Sequence, residues 1–225
     1  SIKTFCLKWY CIDLICEQYY NNQKRINAYE HICTQFTERQ KAGVGMATPK
    51  SCAILGHNPM RFAWGFDEEA DECRAMKLEL AQQIMVLRQQ GVTQFYVGCD
   101  YGVGLYAAEI INVLRDNDPK LLLFCVTPHE EQATKWTPQL RERYFDMLTK
   151  CTHLSAVSLH PQPDAQLEAY RTIIRQADMV LAVYDPLSAR GNAADRAIQY
   201  AQEWKRPMLL IHPDTLKTEY ANIEV

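Results

Sequence analysis

The stretch Thr93-Gln94-Phe95-Tyr96-Val97-Gly98-Cys99-Asp100-Tyr101-Gly102-Val103-Gly104-Leu105 decides how this chain folds. Thr93–Val97 is β-branched and aromatic, and reads as a buried strand. Gly98, Gly102 and Gly104 then turn the backbone, and an apolar run at helical spacing follows from Leu105 to Arg115. A strand that passes through a glycine-rich turn directly into a helix is the first half of a βαβ unit. The second half is Leu121–Val126, a continuous apolar run of the kind found when both faces of a strand are covered.

The same alternation extends both ways. Upstream, Cys52–Leu55 is an apolar strand closed by Gly56-His57-Asn58-Pro59, and Asp67–Gln90 is a helix whose Met76, Leu80, Ile84 and Leu87 share a face before Gly91 stops it. Downstream, a polar loop over Thr127–Pro138 leads to a helix around Gln139–Leu148 and a strand over Leu154–Leu159. A helix opened by Asp164 follows, then a strand over Met179–Tyr184, a helix over Ala193–Trp204 capped by Asn192, and a last strand over Pro207–Ile211. The pattern specifies an α/β fold: a Rossmann-like three-layer αβα sandwich around a mostly parallel sheet of about six strands.

Residues 1–45 differ in composition. They hold six basic and four acidic residues and no Pro or Gly before Gly43, and their apolar positions follow no clean period. They read as an N-terminal extension, either helical and docked or not native, because Met46-Ala47-Thr48-Pro49 would make a natural start. The domain proper is 46–225. A net charge of −3 excludes a general electrostatic pull towards nucleic acid or anionic lipid. No window approaches the roughly 20 apolar residues of a membrane span. None of the nine cysteines forms a C-x-x-C pair, which points to reduced thiols in the cytoplasm and to neither zinc nor disulfides.

In an open parallel sheet, ligands bind beyond the carboxyl ends of the strands, where strand order reverses. Here those ends carry Gly56-His57-Asn58, Gly98 to Gly104, Thr127-Pro128-His129-Glu130, His160 and Tyr184-Asp185. Gly102 and Gly104 before a helix read either as an anion cradle of exposed N–H groups or as a tight turn. The spacing G-x-x-x-G-x-G is neither the dinucleotide fingerprint nor a Walker A loop. Gly191-Asn192 opens a later helix in the same way. Asp185 is placed to accept from sugar hydroxyls and Tyr184 to stack on a base, against the plainer reading of a turn before Pro186. His57, His129, His160 and His212 all follow strands, but no pair has zinc spacing, so no metal site is assigned. Glu68-Glu69 and Glu130-Glu131 read as solvated charges at helix starts.

Five blocks in order now carry a resemblance. They are Gly56-His57-Asn58-Pro59; Gly98…Gly102-Val103…Ala107-Ala108-Glu109; Thr127-Pro128…Glu131-Gln132…Trp136; Ala177-Asp178…Ala182-Val183-Tyr184-Asp185…Gly191; and Tyr200-Ala201…Arg206-Pro207. From Cys52 to Pro213 the chain resembles the YpsA-like proteins of the SLOG superfamily, relatives of DprA and of the LOG phosphoribohydrolases. The resemblance implies a Rossmannoid domain for nucleotide-derived ligands and carries over Gly56, His57, Gly98, Gly102, Glu109, Tyr184, Asp185 and Gly191. Two positions depart from it: Asn58 stands where the family usually has Arg, and Gly104 where it usually has Asp.

The expected function is therefore binding or sensing of a nucleotide, ADP-ribose or NAD-like ligand at the carboxyl edge, through Gly56, His57, Asn58, Gly98, Gly102, Gly104, Tyr184, Asp185, Gly191 and Asn192. No cofactor is assigned, the partner is the small ligand rather than nucleic acid or membrane, and a homo-oligomer stays open. The alternative is an N-glycosidic hydrolase related to the LOG enzymes. The LOG signature Pro-Gly-Gly-x-Gly-Thr-x-x-Glu is replaced by Ser188-Ala189-Arg190-Gly191-Asn192-Ala193-Ala194-Asp195. Asp195 reads as a helix-surface acid or, under the hydrolase alternative, as the substitute for the missing Glu.

Overall fold

The computed structural model describes residues 49–222. The extension over residues 1–45 and the start-like Met46 lie outside the described residues.

Seven strands form one sheet: β1 (Ser51–Gly56), β2 (Gln94–Val97), β3 (Leu122–His129), β4 (His153–Ser158), β5 (Met179–Val183), β6 (Met208–Ile211) and β7 (Thr218–Ala221). Their order is β4-β3-β2-β1-β5-β6-β7, with the first six parallel and β7 antiparallel to β6. Five helices connect them: α1 (Asp71–Gln89), α2 (Val103–Asn117), α3 (Pro138–Lys150), α4 (Ala165–Gln176) and α5 (Ala193–Glu203). The chain builds outward from β1 to β4 and then returns across the sheet through α4 to place β5 on the other side of β1. Right-handed crossovers therefore put α1, α2 and α3 on one face and α4 and α5 on the other. The switch point lies between β1 and β5, where neighbouring strands feed loops to opposite faces.

The two central strands, β1 and β5, are buried along their whole length, as their unbroken apolar runs require. Their amino ends are fastened by one side chain. Asp178 Oδ2 accepts from the Lys50 and Ser51 amides and from the Ser51 hydroxyl at 2.8–3.0 Å. The Asp178 amide in turn donates to Ser51 Oγ at 3.0 Å. With the amino ends fixed, the carboxyl ends of both strands emerge in register, Gly56 opposite Val183.

Among the differences from the sequence reading, which include a second helix that starts at Val103 rather than Leu105, four have a clear local reason. The first helix begins at Asp71 rather than Asp67. Asp67 closes a turn on itself, its carboxylate accepting from the Glu69 amide at 3.0 Å and its carbonyl from the Ala70 amide. β3 continues through Thr127-Pro128-His129, which had read as loop. Pro128 is tolerated because pairing with β2 ends at Val97 opposite Cys125, so the missing N–H has no ladder to break. β7 is an additional strand, hidden by its polar sequence and by Pro213 before it. Asp164 sits at the N-cap of α4 but makes no capping bond, and its carboxylate pairs with Arg196 at 2.9 Å instead.

Candidate functional site

At the switch point Gly56 must be glycine, since a Cβ there would lie 2.5 Å from Val103 Cγ2. The chain next extends the ladder by one bond, His57 N–H to Val183 O at 3.1 Å, and this carries the His57 ring to the end of β5. The ring is fully buried and stacks on Tyr184 with centroids 4.5 Å apart and planes 22° from parallel. His57 Nε2 lies 3.0 Å from the Asp185 amide nitrogen and 3.2 Å from the Asp185 carbonyl oxygen. The amide can only donate, and His57 Nδ1 faces the Asp195 carboxylate at 4.0 Å. Two of these three neighbours are satisfied by the tautomer with Nε2 accepting and Nδ1 protonated, which we assign. Burial lowers the His57 pKa, more than its Asp185 and Asp195 neighbours raise it, so the ring is neutral near pH 7.

Asp195 had read as a helix-surface acid, and the structure corrects this. It is 2% exposed. Its Oδ2 accepts from the Arg190 amide at 2.7 Å and the Asn192 amide at 3.0 Å, while the Asn192 side chain accepts from the Asp195 amide at 3.0 Å. This capping box at the start of α5 folds the acid inward. Burial alone would raise the Asp195 carboxyl, but these amides and the Tyr184 hydroxyl outweigh it and keep the group below its ordinary pKa, hence ionised. Its Oδ1 has no hydrogen-bond partner, and neither has His57 Nδ1 opposite it. Two buried polar atoms of complementary sign thus face one another just beyond hydrogen-bond range.

Asp185 is also buried, and its oxygens are occupied. Oδ1 accepts from the Leu187 amide at 2.9 Å, and Oδ2 accepts from Arg61 at 2.6 Å and from the Ser188 hydroxyl. The Ser188 bond and the Arg61 guanidinium, against the opposing effect of burial, hold this carboxyl at about 2. Arg61 also reaches Asp214 at 3.2 Å. Asp185, His212 and Asp214 offer atoms within 4.8 Å of one another, a spacing that suits a cation. The Arg61 guanidinium already bonds both carboxylates, so the cluster is an ion-pair knot. Arg61 carries no local sequence signal, because its partner Asp185 lies 124 residues away in the chain. Asn58, a site candidate from the sequence, spends its side chain accepting from the Met60 amide at 3.0 Å and so opens the short turn that delivers Arg61.

The glycines after β2 are placed differently from an open cradle. A Cβ on Gly98 would meet the Tyr170 ring at 2.7 Å, on Gly102 the Pro59 ring at 2.9 Å, and on Gly104 the Asp100 carboxylate at 2.5 Å. Protein fills the space beside all three. Gly102 also has φ +110°, outside the range of L side chains. Asp100 Oδ1 is buried without a partner, and burial pushes this carboxyl up to about 6 against the bond from Tyr170. Gly191 is the contrast, with φ +78° and nothing within 4 Å of where its Cβ would stand. Tyr184 is likewise not free to stack on a base, because its ring is only 5% exposed and already covers His57.

A second polar cluster occupies the same edge on the β2 side. Glu68, expected to be solvated, is largely buried and bonds Arg143 Nη1 at 2.6 Å and Lys77. Arg143 Nε holds Glu109 at 2.7 Å, and the Tyr101 hydroxyl donates to Glu68 at 3.2 Å. Burial alone would raise Glu68, yet Arg143 and Lys77 hold it at about 2. Every charge here has a partner. The other expected surface acids are as read: Glu69 and Glu131 are exposed, pairing with Arg74 and His160.

The family model for YpsA, described as the YspA SLOG family, matches residues 52–216, most of the chain. The chain belongs to the YpsA-like SLOG family. Among relatives, the UPF0398 protein of Halalkalibacterium halodurans is 30% identical over 112 residues, which span 49% of this chain and 59% of that protein. A UPF0398 protein of Bacillus pumilus is 26% identical over 139 residues, 61% of this chain and 74% of the relative. The match therefore spans about three fifths of the first of these SLOG relatives. DNA processing protein A of Helicobacter pylori, described for its single-stranded DNA binding mode, is 17% identical with a TM-score of 0.48, over 72% of this chain and 65% of that one. Among the described residues, no helix is long and apolar enough to cross a membrane.

Proposed function

We propose that the carboxyl edge between β1 and β5 binds a small nucleotide-derived ligand, with its phosphate at the N-terminus of α5 and a sugar hydroxyl against His57 and Asp195. The observation that carries this reading is the facing pair of unpartnered buried atoms, His57 Nδ1 and Asp195 Oδ1, 4.0 Å apart. Buried polar groups left without partners are costly, about 1–3 kcal/mol each, and persist where a ligand completes them. A hydroxyl is the group that accepts from an imidazole N–H and donates to a carboxylate at once. Open space beside Gly191 and the exposed side chain of Arg190 in the flanking loop suit an anion next to that hydroxyl.

Thermal-shift and calorimetric titration with AMP, ADP-ribose and NAD test the proposal. We expect one of them to raise the melting temperature, and Asp195→Asn, which keeps an acceptor for the cap amides, to abolish that rise. Binding that survives Asp195→Asn overturns the assignment of the site.

A second reading, N-glycosidic hydrolysis, is favoured by one feature: Asp195 is ionised and has one oxygen uncommitted. A carboxylate so placed can stabilise oxocarbenium-like charge or activate water. Chromatography of AMP, ADP-ribose and NAD after long incubation separates the readings. Binding alone predicts intact ligand. Base release that disappears in Asp195→Asn assigns the hydrolase.

A further inference from the structure

His57 is fully buried and Asp195 is 2% exposed, so a ligand reaches their two facing atoms only if part of the cover moves. Two segments lead away from the pair, one after β1 and one after β5, and they are fastened very differently. The first, Pro59–Asp67, is held fast. Its Pro59, Phe62 and Trp64 are buried, the last two stacked with ring centroids 4.6 Å apart. Arg61 ties it to Asp185 and Asp214, and Glu68 directly after it pairs with Arg143 and Lys77.

The second, Pro186–Gly191, buries no side chain, and its Leu187 is 90% exposed. Among the described residues, every hydrogen bond it makes to the rest of the chain ends on Asp185 or Asp195. The Leu187 amide and the Ser188 hydroxyl donate to the Asp185 carboxylate, and the Ser188 amide to the Asp185 carbonyl. The Arg190 amide donates to Asp195 Oδ2 at 2.7 Å, and the Gly191 amide points to the same carboxylate. These two acids frame the imidazole. Asp185 donates from its amide to His57 Nε2 at 3.0 Å, and Asp195 faces His57 Nδ1. The segment thus arches from one side of the ring to the other. Near its far end Gly191 has φ +78° and nothing within 4 Å of where a Cβ would stand, so the backbone can turn there. Few buried contacts and exposed hydrogen bonds mark a segment that opens at low cost.

We propose that Pro186–Gly191 is a lid on the His57–Asp195 pair, turning at Asp185 and Gly191. It lifts to admit a sugar hydroxyl and closes with Arg190 against the anionic group beside that sugar. Among the described residues the Arg190 guanidinium bonds only the Ala189 carbonyl, at 3.0 Å, which leaves its charge available. This role rests on the ligand reading given above, but the lifting itself belongs to the free chain.

Acylation of His57 by diethyl pyrocarbonate, located by mass spectrometry of its peptide, reads the lifting without any ligand. The reagent attacks neutral imidazole, the form His57 holds near pH 7. We expect slow modification in the native chain, and modification at least tenfold faster in Ser188→Ala and in Arg190→Pro, with little change in melting temperature. Proline fits at 190 because Ala189, at φ −58° and ψ 133°, already has the backbone required before it. Asp214→Asn loosens the other segment and should leave the rate unchanged. Amide exchange should agree, with Leu187, Ser188 and Arg190 exchanging well before Val180 and Tyr184, which bond towards β6. Equal rates in the native chain and all three variants overturn the lid. So does acceleration by Asp214→Asn alone, or modification that appears only as the chain unfolds. ADP-ribose, AMP and NAD, added in turn, separate the lid from the ligand reading. Modification that the lid variants accelerate but none of the three ligands slows supports the lid and overturns the ligand assignment.

Discussion

The carboxyl edge of the sheet has two halves built from the same kinds of residue and finished in opposite ways. Over β2 and β3, Glu68, Glu109, Arg143 and Lys77 form a network in which each charge meets its opposite. Over β1 and β5, His57 and Asp195 are more deeply buried, yet each leaves one polar atom unpaired. Burial by itself therefore does not mark the ligand side. A paired network is a clamp: it ties the loop after β1 to α2 and α3 and holds the edge in shape. On the proposed reading the ligand is received where two such unpaired atoms of complementary sign face one another, as His57 Nδ1 and Asp195 Oδ1 do; Asp100 Oδ1, after β2, is unpaired without such a counterpart.

If the clamp is structural, breaking it should damage stability first. Arg143→Met leaves two carboxylates without their shared cation, and we expect a loss of about 3 kcal/mol in chemical denaturation. Ligand affinity of the folded variant should be nearly unchanged. A variant of wild-type stability that no longer binds would move the site to this half. Acid should reach the same network. Glu68 is held at about 2, below its unfolded value of 4.5, so the stability it contributes is complete above 4.5 and is lost as pH falls through the folded value. Arg143→Met should flatten that part of the stability curve.

A smaller effect separates the two helix entrances. Gly102 and Gly191 both have positive φ, but the first is closed in by Pro59 and the second is open. Gly102→Ala should cost about 2 kcal/mol through combined strain and contact. Gly191→Ala should cost about 1 kcal/mol through backbone strain alone. Of the two, Gly191→Ala should have the larger effect on ligand affinity relative to its effect on stability. The reverse outcome would favour the glycine turn after β2 as the anion site.

The fold was legible because its information is periodic. The unbroken apolar runs of β1, β3 and β5 and the glycine turn at 98–104 are sufficient to specify a parallel α/β sheet. β7 was not legible, since four residues reading Thr-Glu-Tyr-Ala owe their strand state to β6 beside them. The position of the candidate site at the strand ends follows from topology, and that rule is what makes His57, Asp185 and Asn192 candidates. Arg61, Arg143 and the burial of Asp195 escape it, because each depends on partners distant in sequence: Asp185 for Arg61, Glu68 for Arg143, His57 for Asp195. The sequence allows two readings of the glycines after β2, an anion cradle and a tight turn, and the space beside Gly98, Gly102 and Gly104, taken by Tyr170, Pro59 and Asp100, favours the turn.

The smallest effect we expect is confined to pH and to the β1/β5 half. His57 is buried neutral, with its folded pKa below the unfolded value of 6.5. Below 6.5 the unfolded chain takes up a proton that the folded chain refuses, so stability falls as pH falls through that value. Asp100 titrates nearby with the opposite sign. Its carboxyl is pushed up to about 6 from an unfolded 3.8, so its contribution is present at low pH and is lost as pH rises between those values. The two slopes partly cancel below about 6 in the wild-type chain. Asp100→Asn removes the second slope and should uncover the first, giving a melting temperature that drops more steeply from pH 7 to 5.5 than in the wild type. Adding His57→Gln to Asp100→Asn should flatten the curve, whatever the substitution costs in absolute stability. If His57→Gln instead makes the drop of Asp100→Asn steeper, the folded ring holds its proton above 6.5, and the Nδ1–H facing Asp195 is then part of an ion pair. In that case the two halves of the edge would be finished alike, and the contrast that places the ligand beside His57 would lose its basis.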